Sequence, residues 1–409
     1  MVEEAGRTEA FSCKTAVIGS GPAGMIAALK LALDHEDIVL VGAEPAAADM
    51  RTTALMMPAI SVLQTLNVWQ DIAPRAAALK TMRIVDGTTR LIRSPAVSFR
   101  AAELGEDAFG YNMPNTVLNA ALAQAVATSP NIRRLDTTAT AFEHKENSVR
   151  ISLASGETIE TALVVAADGR NSAARDAAGI RVRQWNYPQT AVILGFAHEL
   201  PHNNISTEFH TESGPFTQVP LPGNHSALVW VCKPAKAQHL LGLGTQALGA
   251  EIERNMLSML GKITVETAAQ TWPMGGIVPR AFAARRTVLI GEAAHVFPPI
   301  GAQGLNLGIR DVLDLAAAIA THPADPGAEQ VIRHYNRRRT PDIWARTGFV
   351  HTLNRALLSD FLPVQMLRSA GLEMLRRTAP LRTLFMREGM QPGMGLRALL
   401  LQRKQSKIS

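Results

Sequence analysis

The sequence predicts an α/β fold: a body built on a parallel sheet, an inserted strand-rich domain and a helical C-terminus. Three observations lead there. An apolar run, Thr15-Ala-Val-Ile-Gly19, ends in the turn Gly19-Ser20-Gly21-Pro22-Ala23-Gly24 and passes into helix-forming sequence, as a strand hands over to a helix in a βαβ unit. Short alternating segments crowd 132–167, 208–233 and 263–279, the period of half-buried strands. Past Gly304 almost every stretch reads as helix, interrupted at Pro323, Pro326, Pro341, Pro363, Pro380 and Pro392.

The elements follow in order. After the first strand comes a helix from Pro22 to about Leu33, then a second apolar run, Asp37 to Val41. Thr53–Leu66 and Thr116–Val126 carry helical patterns. Val149-Arg-Ile-Ser-Leu153 and 162–167 read as strands, and Thr287-Val-Leu-Ile290 is a short apolar run ahead of a glycine-rich loop.

The 409 residues, 47% of them apolar, suffice for one large domain or two ordinary ones with a sizeable core. No uninterrupted apolar stretch reaches the roughly 18 residues of a membrane span. The opening MVEEAGRTEAFS is polar and does not read as a signal peptide. Two cysteines, Cys13 and Cys232, give no disulfide framework. Both fall in apolar strands, where a buried, inert thiol is expected, and a reducing cytoplasm fits. No metal site and no nucleic-acid partner are expected. The net charge of +6 hides an asymmetry: residues 331–409 hold 15 Lys and Arg against 4 Asp and Glu, the remainder 26 against 31. A basic tail on a mildly acidic body suits an anionic membrane or acidic partner, or a solvated helix face.

Three motifs carry chemistry. In the first, glycines permit a tight turn and close backbone approach, and the helix N-terminus presents unpaired N–H groups to a pyrophosphate. The acid expected for a ribose about 20 residues on is absent directly after the second strand, where Gly42 stands; Glu44 follows two positions later. In the second, Val164-Val-Ala-Ala-Asp168-Gly169-Arg170-Asn171-Ser172, a strand delivers an Asp-Gly turn and Ser172 caps a short helix. The third, GEAAHVFPPIGAQGLNLGIRD from Gly291 to Asp311, sets adjacent prolines beside glycines and opens a helix. His295 within it reads as a core imidazole.

Together GxGxxG, ADGxxSxxR and G(D/E)AAHxxPPxGxQGxNxGxxD, spread over 15–311, resemble the FAD-dependent aromatic monooxygenases related to para-hydroxybenzoate hydroxylase. Asp49-Met-Arg51-Thr52-Thr53-Ala54-Leu55, Asn67-Val68-Trp69 and Met386-Arg-Glu-Gly-Met390 are similar to the branch that hydroxylates polyprenylated phenols in ubiquinone biosynthesis. The resemblance implies a Rossmann-like FAD-binding domain in three pieces, 13–75, 115–180 and 280–340, a substrate domain in two, 76–114 and 181–279, and a helical region, 341–409. It implies that Gly19, Ser20, Gly21, Pro22, Ala23 and Gly24 carry the FAD pyrophosphate and that Arg51 approaches FAD. Asn115 would sit near the ribityl chain, Asp168 and Gly169 would line the cofactor, and Gly291 with Glu292 would hold the ribityl chain. Glu292 stands where the family usually has Asp. Pro299, Gly301 and Gly304 would form the loop beside the flavin ring, and a helix starting at Leu305-Asn306 would aim its N–H groups at the ring edge that gains negative charge on reduction.

The implied reaction takes NAD(P)H and O2 and places one oxygen on an electron-rich phenol ring. One Gly-rich fingerprint leaves no second dinucleotide domain, so NAD(P)H would dock transiently. No catalytic base stands out. The substrate pocket is expected under 191–278, with Val192, Ile193, Leu194, Phe216, Leu228 and Trp230 as lining or as core. Two alternatives stay open: a hydroxylase of a small soluble aromatic compound, and an FAD-binding assembly subunit without catalysis. The basic helical tail, including Phe361–Leu367, Leu372–Arg377, Met386, Met390 and Met394, is the expected contact with a membrane surface or a biosynthetic complex.

Overall fold

Two large sheets carry the chain, one mainly parallel and one mainly antiparallel. The computed structural model describes residues 10–34, 37–44, 49–88, 94–298, 303–358, 371, 373–375 and 377–390. In chain order the elements are β1 (Ala10–Ile18), α1 (Pro22–Ala32), β2 (Ile38–Val41), β3 (Thr52–Met56), α2 (Met57–Thr65), α3 (Trp69–Ile72), β4 (Ala77–Ala78), β5 (Thr81–Asp86), β6 (Val97–Arg100), β7 (Gly110–Pro114) and α4 (Asn115–Thr128). There follow β8 (Ile132–Leu135), β9 (Ala139–His144), β10 (Val149–Leu153), β11 (Thr158–Ala166), α5 (Ala173–Ala177), β12 (Val182–His198), β13 (Ile205–Thr211), β14 (Gly214–Leu221) and β15 (His225–Cys232). The chain continues through α6 (Pro234–Leu241), α7 (Thr245–Asn255), β16 (Ile263–Val265), β17 (Gln270–Pro279), β18 (Ala283–Ala284), β19 (Thr287–Leu289), α8 (Gln303–Ile319), α9 (Glu329–Leu358) and α10 (Ala379–Met390).

The first sheet runs β18-β19-β11-β1-β2-β8, and β1 pairs in parallel with both β2 and β11 while β19 runs parallel to β11. Its central strands are apolar without alternation: Ile38–Val41 is buried at every position, as expected of strands covered on both faces. Met25, Ile26 and Leu31 of α1 and Leu307, Val312 and Leu315 of α8 join the same core.

The second sheet runs β16-β12-β15-β14-β13-β5-β6, with β17 also on β12. Its two faces differ. Val192, Leu194, Phe196, Phe209, Phe216, Leu228 and Trp230 are fully buried beneath Ala237 and Leu240 of α6 and Leu248 and Ile252 of α7. On the other face Ile193, Ser206, Glu208, Thr217, Val219 and Val229 are half-exposed. This divides the six apolar residues named as lining or as core: only Ile193 lies on the open face, and the other five are core. The period of 2 put the other five on the face that helices cover.

Two further expectations change. Thr53–Leu66 is not one helix, because Thr52–Met56 pairs with β7 as a strand and helix begins at Met57. The β-branched Thr52 and Thr53 favour that extended start. Pro341 does not interrupt a helix: it lies inside α9. Arg339, two residues earlier, pairs with Asp314 on α8 and Asp342 on α9. Cys13 and Cys232 are buried, and burial pushes both thiols up to about 11.

Candidate active site

The three motifs sit at the C-terminal ends of the neighbouring parallel strands β1, β11 and β19, where open α/β sheets bind ligands. Backbone bonds lock these ends: Gly19 N donates to Val41 O at 2.7 Å, Ala167 N to Ile18 O at 2.7 Å and Ile290 N to Ala166 O at 3.0 Å. The glycines are needed for contact between motifs. Gly19 has φ +111°, and a Cβ there would lie 2.2 Å from Ala167 O. A Cβ on Gly24 would lie 1.9 Å from Gly19 O, and one on Gly291 3.0 Å from the Ala23 methyl. Gly308 of α8 closes the set, its absent Cβ only 3.3 Å from Gly291 Cα. First and second motifs therefore meet at Ala167, and first and third at Ala23.

Gly21 differs: a Cβ on it would meet nothing within 4 Å. It is the N-cap of α1, with no side chain capping the turn and Pro22 at the first helical position. The first-turn amides are left without side-chain partners, which suits a pyrophosphate. The glycine after β2 has a local cause, since a Cβ on Gly42 would fall 2.5 Å from Ser20 N. Ser20 donates its hydroxyl to Ala43 O. Glu44 stays exposed and faces Arg134 at 3.6 Å.

A second polar group gathers around Asp49, a residue the sequence reading quoted without a role. Arg51 grips it two-pronged, Nε to Oδ1 at 2.8 Å and Nη2 to Oδ2 at 2.7 Å. Asn115 Nδ2 donates to the same carboxylate at 2.9 Å, and Thr53 donates to Asn115 Oδ1 at 2.6 Å. Burial alone would raise the Asp49 carboxyl, but the bonds from Arg51 and Asn115 outweigh it and hold it down to about 2. The Arg51 guanidinium also stacks over the Trp272 ring at 5.0 Å and feels the charge of Glu292. Glu292 itself is exposed.

Asp168 accepts from Ala174 N at 3.1 Å through Oδ2, while its Oδ1 is buried with no partner among the described residues. Gly169 beside it turns at φ +83°. At the start of α8, Gly304 is exposed, and a Cβ there would meet nothing within 4 Å. Leu305 packs against the main core. Asn306 is spent on structure: its Oδ1 accepts from Met56 N at 2.9 Å and its Nδ2 donates to Ala54 O at 2.8 Å. Pro299 and Gly301 lie outside the described residues. His295 is a core imidazole, 2.7 Å from Asp311 Oδ2 and stacked on Phe297. Asp311 was missed as a role, although it closes the third motif. It accepts the Gly291 amide at 2.9 Å and lies 2.7 Å from Arg339 Nη2, with all three side chains of that ion cluster buried. Burial would raise its carboxyl; His295, Arg339 and the Gly291 amide hold it low instead.

The open space at Gly21, the uncapped amides, the unpartnered Asp168 oxygen and the clearance at Gly304 fit a flavin dinucleotide. Facing them is the half-exposed side of the second sheet. Two contacts bracket it: Trp272 over Arg51, and Met82 with Ile84 in one apolar cluster with Met56. The half-exposed side between these two contacts is the candidate cleft face. Among the described residues no group of His, Cys, Asp and Glu could hold a metal.

Comparison with known proteins agrees with this geometry. The sequence profile of the FAD binding domain family matches residues 12–350. The ubiquinone hydroxylase UbiL of Rhodospirillum rubrum is 30% identical over 91% of this chain and 88% of its own length. The 3-demethoxyubiquinol 3-hydroxylase of Escherichia coli is 29% identical over 93% and 98%. The crystal structure of p-nitrophenol 4-monooxygenase PnpA from Pseudomonas putida shares the fold, with a TM-score of 0.76 at 18% identity over 95% of this chain and 98% of that one. The chain belongs to the FAD binding domain family, as an FAD-dependent monooxygenase of the aromatic-hydroxylase kind.

Proposed function

We propose that the protein hydroxylates the aromatic ring of a polyprenylated phenol in ubiquinone biosynthesis, using NAD(P)H and O2. The observation that carries this reading is the convergence of the three cofactor motifs at the ends of β1, β11 and β19, with a half-exposed face of the second sheet, Ile193, Val219 and Val229 among its side chains, joined to that body through Trp272 and Met82. Bound FAD supplies the redox chemistry. Gly19, Ser20, Gly21, Pro22, Ala23 and Gly24 hold its pyrophosphate through backbone, with Arg51 releasing part of its grip on Asp49 to reach the phosphates. Asp168, Gly169 and Gly291 line the cofactor, and Gly304 leaves room for the ring. Glu44 and Glu292 reach the cofactor only by turning in from exposed positions. Ile193, Val219 and Val229 press the substrate ring toward the flavin and exclude water.

A lipophilic tail would run along Met82 and Ile84, which share an apolar cluster with the half-buried Met56, Leu104 and Leu375 and the buried Phe109 and Met386. Half-buried methionines suit prenyl groups, because methionine adapts to irregular apolar shapes. The names of the relatives, ubiquinone and demethoxyubiquinol hydroxylases, support the same substrate class.

Contact with an anionic membrane or a biosynthetic complex rests on the basic C-terminal part. Arg333, Arg337 and Arg338, with His322 and His334, surround a groove of about 540 Å³. No helix among the described residues is long and apolar enough to cross a membrane. The tail also braces the body. Met386 of α10 is buried against Phe99, and Arg382 pairs with Glu103 at 2.6 Å. Phe361–Leu367 and Met394 lie outside the described residues, as do Leu372 and Arg376.

Deleting the gene and profiling prenylated lipids by mass spectrometry tests the reading. Accumulation of a ring-deficient quinone precursor supports it; an unchanged quinone pool with loss of a soluble aromatic's oxidation points to the small-substrate hydroxylase.

A further inference from the structure

The cleft face of the second sheet carries one carboxylate on β13 to β15. Register places Ile193, Val229, Thr217, Glu208, Ile84 and Val97 in a single row across six strands. Apolar side chains flank the middle of that row, so a carboxylate there is costly without partners. It has two. His210 Nε2 donates to Glu208 Oε1 at 2.9 Å, and Thr217 Oγ1 donates to Oε2 at 3.3 Å. His210 is buried and Glu208 is half-exposed, on the same face as Ile193 and Val229. An ionised carboxylate has about four acceptor sites. Two are used from within the sheet, which leaves acceptor capacity for a ligand on this face.

We infer that Glu208, oriented by His210, accepts the hydrogen bond of the substrate's ring hydroxyl. The inference deepens the phenol reading and rests on it. A carboxylate can only accept, so it rewards an O–H and repels an ether oxygen at the same place. The bond also pushes electron density into the ring, which favours attack on an electrophilic oxygen. No bond to carbon forms or breaks at Glu208, and the proton stays shared along O–H···O. His210 and Thr217 act through Glu208 and are positioning residues.

The test uses the purified holoenzyme with 2-farnesylphenol and its methyl ether, titrated by the change in flavin absorbance. A charge-assisted hydrogen bond predicts that the wild-type protein binds the phenol about 10- to 100-fold more tightly than the ether. Glu208→Gln should erase most of that preference, since an amide both donates and accepts, while flavin content and ether affinity hold. His210→Asn should weaken it partly. If the glutamine variant purifies without flavin, Glu208→Ser is read in the same titration. Full preference retained in either flavin-loaded Glu208 variant overturns the assignment, as does a wild-type protein that hydroxylates the phenol but binds both ligands equally. A wild-type protein that neither binds nor hydroxylates the phenol overturns the phenol reading itself, and the assignment with it.

Discussion

Asn306, on the first turn of α8, holds Met56 at the end of β3: its Oδ1 accepts the Met56 amide at 2.9 Å, and its Nδ2 returns a bond to Ala54 O at 2.8 Å. One side chain thereby fixes the helix start, which is proposed to face the flavin ring, against the strand that leads from Arg51. Asn306→Ala should cost about 1–3 kcal/mol of stability and leave two backbone groups of β3 without partners. It should also lower FAD affinity, by loosening the helix start. Denaturant melts with and without added FAD check both. Unchanged FAD affinity in a destabilised variant would confine Asn306 to folding.

Gly304 is proposed to border cofactor space. A Cβ there would meet nothing within 4 Å among the described residues. Gly304→Val should therefore fold with wild-type stability as apoprotein and fail to take up FAD normally. At Gly24, where a Cβ would strike Gly19 O, even Gly24→Ala should disturb the turn itself. Apoprotein melting and FAD titration distinguish the two. A Gly304→Val protein with full FAD affinity and turnover would remove the ring from this loop.

Arg51→Ala should weaken FAD binding about 10- to 100-fold, the loss of one charge-assisted hydrogen bond. Its partner gives a pH signature. Asp49 is held at about 2 in the folded protein, below the roughly 3.9 of an unfolded Asp. A depressed pKa contributes stability that is full above the unfolded value and is lost as pH falls through the folded one. The gap in Tm between wild type and Asp49→Asn should thus be constant near pH 6 and shrink below about pH 4. A gap that stays constant down to pH 3 would contradict the ion pair.

The Asp311 cluster should be the most sensitive polar site in the core. Asp311→Ala leaves Arg339 and His295 facing a buried gap and frees the Gly291 amide. Removing one partner of a buried ion pair costs about 3–5 kcal/mol, read from denaturant unfolding of the apoprotein. A loss under about 1 kcal/mol would show that water repairs the site.

Much of this was legible in the sequence because glycine spacing reports backbone contact. Gly19 and Gly291 each stand where a side chain would strike another motif, and Gly24 where it would strike its own turn, so their order alone pointed to one site. The parallel strands were legible as unbroken apolar runs. Long-range pairing was not. Nothing local marks Asp49 as the partner of Asn115, or Asp311 as the partner of Arg339, although both acids fell inside quoted motifs. The division between lining and core was not legible for a related reason: alternation shows two faces but not which one helices will cover, and α6 and α7 come later in the chain. Gly42 looked like a missing acid because the Ser20 backbone that crowds it is 22 positions away in sequence.

The proposed reaction places one oxygen from O2 on the ring of a prenylated phenol. Turnover of the purified protein with FAD, NAD(P)H, 2-farnesylphenol and isotope-labelled O2, followed by mass spectrometry, reads it directly. The expected product carries one labelled oxygen on the ring and forms in step with nicotinamide oxidation. Nicotinamide oxidation with no labelled product, or an inert flavoprotein, would contradict it.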